Sequence, residues 1–241
     1  MIQIFLKEVN EFLNSLIAYI TIGVFLSIMG LLLWVFPETS VLDYGYASME
    51  TMFAVAPYVF IFLIPAITMR SIAEERKNGT LELLHTLPFT NLDIVLGKFF
   101  AGFFLVVFSL IPTVVYYFSL NQLGNPPGNL DTSGIIGSYI GLFLLGAAFT
   151  SIGIFASSIS TNQIVAFVLA AFLSFMLYAG FDSISSINVW ADWSTYIAQV
   201  GMMAHYDSLS RGLIDFVDIV YFVGIVTGMV LLTQMNLGFK R

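Results

Sequence analysis

The chain has 241 residues, of which 59% are hydrophobic and only 10% charged; it has no cysteine and carries a net charge of −7. A mean hydropathy of +0.93 excludes an ordinary soluble core, and one membrane domain over 1–241 accounts for the whole length. No basic stripe is present, which excludes nucleic acid as a partner, and the missing cysteine excludes disulfide and thiolate chemistry.

At the start, Ile2, Phe5, Leu6, Val9, Phe12 and Leu13 recur at near-helical spacing, with Lys7, Glu8, Asn10 and Glu11 opposite. This predicts an amphipathic elbow helix over 1–15, lying in the membrane interface; a frayed extension of the first span is the alternative. Leu16 to Phe36 is free of charge. At ~1.5 Å per residue the run reaches ~32 Å, enough to cross a ~30 Å hydrocarbon layer and too long for the h-region of a cleaved signal peptide. Hydropathy predicts six spans, at 16–36, 51–69, 99–120, 134–158, 164–181 and 216–235. Pro57, Pro65 and Pro112 fall inside spans and are read as kinks, since neighbouring helices can satisfy the carbonyls they free.

Six spans put both termini on one side. Lys7, Arg70, Arg76, Lys77, Lys98, Lys240 and Arg241 fall on that side, and only Arg211 falls on the other. The positive-inside rule therefore predicts cytoplasmic termini.

The stretch from Arg70 to Lys98 holds eight of the 23 Asp, Glu, Lys and Arg residues. Eight charges in hydrocarbon would cost roughly 20 kcal/mol even on the lenient insertion scale, so this is a cytoplasmic loop. Span two is expected to continue as helix to Lys77, where Arg76 and Lys77 suit the negative end and Asn78-Gly79 supplies a left-handed stop. Thr80 then caps a short helix with Glu82 in its first turn, Leu81, Leu84 and Leu87 on one face, and Pro88 after its last turn. So short a helix is unstable alone in water, and its leucines need a surface: lipid, the protein's own helix ends, or a partner. Thr90-x-x-Asp93 reads as a capping box opening the next helix.

Asn125-Pro126-Pro127-Gly128-Asn129 is turn chemistry. Gly137-x-x-x-Gly141 and Gly224-x-x-x-Gly228 are candidate close-packing faces. The connection 182–215 carries Trp193, Tyr196, Val200 and Met203 at helical spacing without an apolar window long enough to cross, predicting short interfacial or re-entrant helices on the outer face. Within it, Arg211 stands one turn from both Asp207 and Asp215, predicting a local ion pair.

Several of these stretches resemble one family. Glu75-Arg76-x-x-Gly79-Thr80-Leu81-Glu82-x-Leu84-x-x-x-Pro88, followed by Asp93-Ile94-Val95-Leu96-Gly97-Lys98, is similar to the cytoplasmic segment of ABC-2 type transporter permeases. Phe12-x-x-Ser15, the run Ser158 to Gln163, and His205-x-x-Ser208-x-Ser210-Arg211-Gly212-x-Ile214-Asp215 are similar to that family too, the last most like its gliding-motility subgroup. The resemblance implies an all-α integral membrane fold with six transmembrane helices, an elbow helix, a coupling helix and an outer helical cap. It also implies a multi-pass protein of the bacterial inner membrane. The coupling helix would meet a separate ABC ATPase subunit, with Glu74, Glu75 and Arg76 at the contact. Gly79 and Thr80 would set the turn, Leu81, Leu84 and Leu87 would fill a groove on the partner, and Glu82 and Pro88 would belong to the same interface. His205, Arg211 and Asp215 would belong to the outer cap. A second permease copy or a related subunit, and an auxiliary gliding-motility membrane protein, are the further partners implied.

The chain lacks a phosphate-binding Gly-x-x-x-x-Gly-Lys-Ser/Thr, so ATP is expected on the partner and no cofactor on this chain. His85 and His205 are predicted on opposite sides of the membrane and share no metal. No acid or base lies deep in a span, which argues against an ion-coupled secondary transporter. The expected role is a non-catalytic permease subunit; the alternative is a mechanotransmitting part of a cell-envelope machine that moves no substrate.

Overall fold

A computed structural model describes residues 1–44, 47–125, 128–187 and 193–239. Among them no strand occurs, and six helices are long and apolar enough to cross a membrane. The sequence reading of an all-α fold with six spans stands.

Helix α1 covers Ile2–Leu13. The Ser15 hydroxyl then accepts from the Ile17 amide and opens α2, Leu16–Trp34, the first span. After a single turn, α3 (Val41–Tyr44), span two begins as α4, Glu50–Thr68. The helix runs through Pro57 and Pro65, as expected of kinks. It does not continue smoothly to Lys77, however. Met69–Ile72 is a turn, and α5 (Ala73–Lys77) restarts the helix. The cause is a side chain 85 residues away: Ser157 Oγ accepts from the Ile72 and Ala73 amides, each at 3.0 Å, and donates to the Met69 carbonyl at 2.9 Å. A hydroxyl inserted into the ladder replaces helical partners on both sides of the break.

Helix α6 is Thr80–Thr86. Span three is α7 (Asn91–Leu110), a single 3-10 turn at Ile111–Thr113 around Pro112, and α8 (Val114–Leu123). The capping box at its start forms as read: the Thr90 hydroxyl accepts from the Asp93 amide, and the Asp93 carboxylate accepts from the Thr90 amide. In the following loop Gly128 has φ of 89° and donates to the Asn121 carbonyl; Pro126 and Pro127 of the expected turn lie outside the described residues, as do Lys240 and Arg241.

Span four, α9 (Thr132–Ile159), is the most enclosed helix and packs against α4, α7, α10, α13 and α14. Span five comprises α10 (Gln163–Phe175), a π-helical turn at Met176–Gly180, and α11 (Phe181–Ser185). Helices α12 (Ser194–Val200) and α13 (Met202–Ser210) follow, and α14 (Phe216–Phe239) is span six. The helical repeat Trp193–Tyr196–Val200–Met203 is therefore not one helix. Gly201, with an extended backbone, ends α12 and opens α13.

The core runs along α9 and includes the buried rings of Phe25, Phe60, Phe149, Tyr178, Tyr206 and Phe222. Tyr206 reaches in from α13 to donate to the Phe53 carbonyl at 2.7 Å, tying a far-end helix to span two. The two glycine pairs part company. Gly137 packs against the backbone of Leu209 and Gly212, and Gly141 against the Tyr206 ring, whereas a Cβ at Gly224 or Gly228 would have no neighbour within 4 Å among the described residues.

Candidate functional site

The charged stretch folds into two short helices at one end of the bundle. Helix α5 carries Glu74 and Glu75 in its first turn and Arg76 and Lys77 in its last, matching the helix dipole at both ends. Gly79 turns the chain with φ of 71°, a conformation that a side chain would strain. Thr80 differs from expectation: Gly79 occupies the cap position, and Thr80, already helical, sends its hydroxyl back to the Glu75 carbonyl at 3.2 Å.

Beneath these helices lies a charge cluster drawn from three distant parts of the chain. Lys98, on α7, is buried, and its ammonium sits 2.7 Å from Glu8 Oε1, 2.8 Å from Glu75 Oε2 and 2.7 Å from the Ser71 carbonyl. An ammonium has three protons to share, and three acceptors surround this one. The contact with Glu75 is ionic, outside hydrogen-bond geometry. Glu75 Oε1 in turn accepts from Lys7 at 2.8 Å. Burial opposes the charge on Lys7, but its hydrogen bond to Glu75 and the charges of Glu75, Glu8 and Glu11 outweigh that and raise its pKa above the usual lysine value.

Two sequence expectations change here. Glu8 does not lie on a solvated face of α1; it is buried, because its carboxylate is needed by Lys98. Glu75 is likewise engaged inside the chain and does not face outward. Neither pairing leaves a local sequence signal. The available hint was Lys98 itself, a cation followed at once by the apolar run of span three.

Span four secures the same end. The Ser158 carbonyl accepts from Arg76 and, at 2.8 Å, from Asn236 on α14. Arg76 therefore meets the chain's own helix end. Beside it, Arg70 lies over the Phe12 ring, 5.3 Å from its centroid. The Phe12-x-x-Ser15 and Ser158 stretches thus both hold this end together.

The leucines of α6 do not share one face. Leu81 is buried with Ile72, Val95, Phe99, Ile154, Val230 and Leu237, and Leu84 is half-buried against that cluster. Leu87 is 48% exposed, and Leu83, which the sequence reading passed over, is 65% exposed. Successive i+3 steps drift by about 60° on a helix of 3.6 residues per turn, so Leu81 and Leu87 diverge while Leu83 and Leu87 stay neighbours. Glu82 and Pro88 are exposed. Leu83, Leu84 and Leu87 line one side of an open groove of about 340 Å³ whose other side is α1.

At the opposite end, His205 joins three helices. Its Nδ1 lies 2.6 Å from Asp218 Oδ1, its Nε2 lies 2.9 Å from the Gln199 carbonyl, and its ring stacks on Tyr221 at 3.9 Å. Arg211 does not form the expected ion pairs. Its Nε donates to the Asp207 carbonyl at 3.2 Å, and Asp215 instead accepts from the Val217 amide at the start of α14. The side chain of Asp207 is partly withdrawn from water, and burial raises its pKa against the opposing charge of Arg211. Asp207 and Arg211 border a cavity of about 740 Å³ that Glu50 and Asp131 also line.

A family model described as ABC-2 family transporter protein matches residues 36–206, a range that contains α5, α6 and the far-end helix α12 and ends within α13. No curated protein matches the chain. With well over half of its length inside that match, and six helices long and apolar enough to cross a membrane, the chain belongs to the ABC-2 transporter family.

Proposed function

We propose that this protein is the permease subunit of an ABC transporter and that α6 is its coupling helix, docking on a separate ATPase subunit that binds the ATP. A second copy or a related permease completes the membrane part. The observation that carries this reading is the contrast around α6: Leu83 and Leu87 face outward, while Lys98, Ser157 and Ser158 tie the segment beneath them to spans two, three, four and six. A push on those leucines has a stiff path into the bundle.

Leu87→Asp tests the docking. The side chain lies outside the core, so membrane insertion and the unfolding midpoint stay at wild-type values. Removing about 1.5–3 kcal/mol of apolar burial and adding an unpaired charge at the contact weakens ATPase association by a hundredfold or so. Stimulated ATP turnover is lost with it. Wild-type association and turnover in the mutant would refute the assignment.

The docking end lies in the cytoplasm of a bacterial inner membrane in this reading, with both termini on that side. Single cysteines at Asn78 and Asn125, in a chain without others, then label from opposite sides, Asn78 only after the cytoplasmic face is opened. Labelling of both from outside excludes that orientation. The likeness of 205–215 to the gliding-motility subgroup, the Gld F-subunit type, makes gliding the setting we propose. Leu87→Asp should then arrest gliding in a host that depends on this chain, and unimpaired gliding would remove that setting while leaving the transporter reading intact.

A further inference from the structure

The groove beside α6 is acidic as well as apolar. One wall is α1, contributing Lys7 and Glu11; the other carries Glu74 with Leu83, Leu84 and Leu87. Lys7 is the cation of this lining, and it is already engaged: its ammonium is 2.8 Å from Glu75 Oε1 and 3.4 Å from Glu8 Oε1, but 3.8 Å from Glu11 Oε2. Arg70 lines a smaller neighbouring cavity together with Glu11 and Glu74, but it is turned to the Phe12 ring, forms no ion pair with either among the described residues, and leaves its Nη2 without a hydrogen-bond partner there. Glu11 therefore has only a distant counter-charge, and Glu74 has no ion pair among the described residues. Two under-compensated carboxylates on separate helices flank an exposed pair of leucines.

Resting on the reading that α6 docks an ATPase subunit, we propose that the partner enters this groove with an arginine-bearing, otherwise apolar segment, and that α1 supplies half of the docking surface. The guanidinium lies between Glu11 and Glu74. Its aliphatic stem and an apolar neighbour cover Leu83, Leu84 and Leu87. Charge complementarity selects a cation, and the planar fork of arginine can donate to two carboxylates at once, which the compact ammonium of lysine does less well. Anionic lipid headgroups are repelled by the same two glutamates. Docking in this manner holds α1 and α6 together through the partner, above the Glu8–Lys98–Glu75 contact that already joins α1 to α5 and α7.

The test uses the full chain in nanodiscs of phosphatidylcholine alone, which offers no lipid amine to compete. The probe is the purified ATPase subunit whose turnover the wild-type chain stimulates. The double variant Glu11→Gln/Glu74→Gln, which leaves Lys98, Glu8 and Glu75 intact, is expected to bind at least tenfold more weakly at low salt and with a flatter salt dependence. Leu87→Asp is expected to bind weakly while its remaining binding still weakens with salt, because Glu11 and Glu74 are intact. If the double variant binds like wild type and Leu87→Asp does not, the acidic clamp is wrong and the docking reading survives. If Leu87→Asp binds like wild type, both fall. Wild-type binding that does not weaken with salt overturns the clamp without recourse to any variant.

Discussion

Lys98→Met is expected to lower the stability of the membrane domain by about 3–5 kcal/mol, the range found when one partner is removed from a buried ion pair. The substitution keeps the volume of the side chain but strips the counter-charge from Glu8 and the inner oxygen of Glu75, both of which stay buried. It also leaves the Ser71 carbonyl without its partner at the helix break. Chemical unfolding in detergent measures the loss. Adding Glu8→Gln to Lys98→Met should restore part of it, because the second change removes one of the stranded charges. A loss below about 1 kcal/mol, the scale of exposed pairs, would mean that water reaches the cluster and that it is not a structural clasp.

Gly137→Ala is the second large effect. A Cβ there would stand 2.2 Å from the Leu209 carbonyl oxygen and 2.9 Å from Gly212 Cα. Both are backbone atoms, so no rotamer change relieves the clash, and α13 must move away from α9. Overpacking of this kind costs about 1–3 kcal/mol. The movement also pulls Tyr206 from the Phe53 carbonyl. The expected result is a lower thermal midpoint together with faster tryptic cleavage after Arg211, which is exposed beside the displaced turn. Gly224→Ala is the control, because none of the described residues comes within 4 Å of its added carbon and its midpoint should not change. Equal behaviour of the two variants would refute the packing of α13 on span four.

How much of this was legible in the sequence depends on the range of the interaction involved. Local signals read true: the apolar runs became the spans, Asn78-Gly79 became the left-handed turn, and Thr90 with Asp93 became a capping box. Pro57 and Pro65 stayed inside their helix because span four and its neighbours enclose it. The misses share a cause. Glu8 reads as polar-face residue from its neighbours, and only Lys98, 90 residues on, makes it a buried one. The break at Met69–Ile72 is written at Ser157, not in span two. Leu81, Leu84 and Leu87 recur at every third position, a spacing that spreads them by about 120° around a helix, and it does not show which side of α6 the chain itself covers. Arg211 had two acids at the right spacing, yet one of them was needed to start α14. In each case a partner outside the pattern outcompeted it, from far along the chain for Glu8, span two and α6, and from the nearby Val217 amide for Asp215.

The cluster that joins α1, α5 and α7 has at its centre Lys7, Lys98, Glu8 and Glu75, whose formal charges cancel, with Glu11 at its edge 3.8 Å from Lys7. The anionic surface of a cytoplasmic leaflet attracts a lysine or arginine by about 1 kcal/mol. A group with no net charge feels that potential only through the unevenness of its own arrangement, and the pull on its lysines is matched by the push on its glutamates. With this end on the cytoplasmic side, as proposed above, exposed Lys77 is the residue free to respond to the lipid headgroups. Adhesion to the bilayer surface and cohesion of the helix ends are thus assigned to different residues, so a change in the proportion of acidic lipids alters the first without loosening the second.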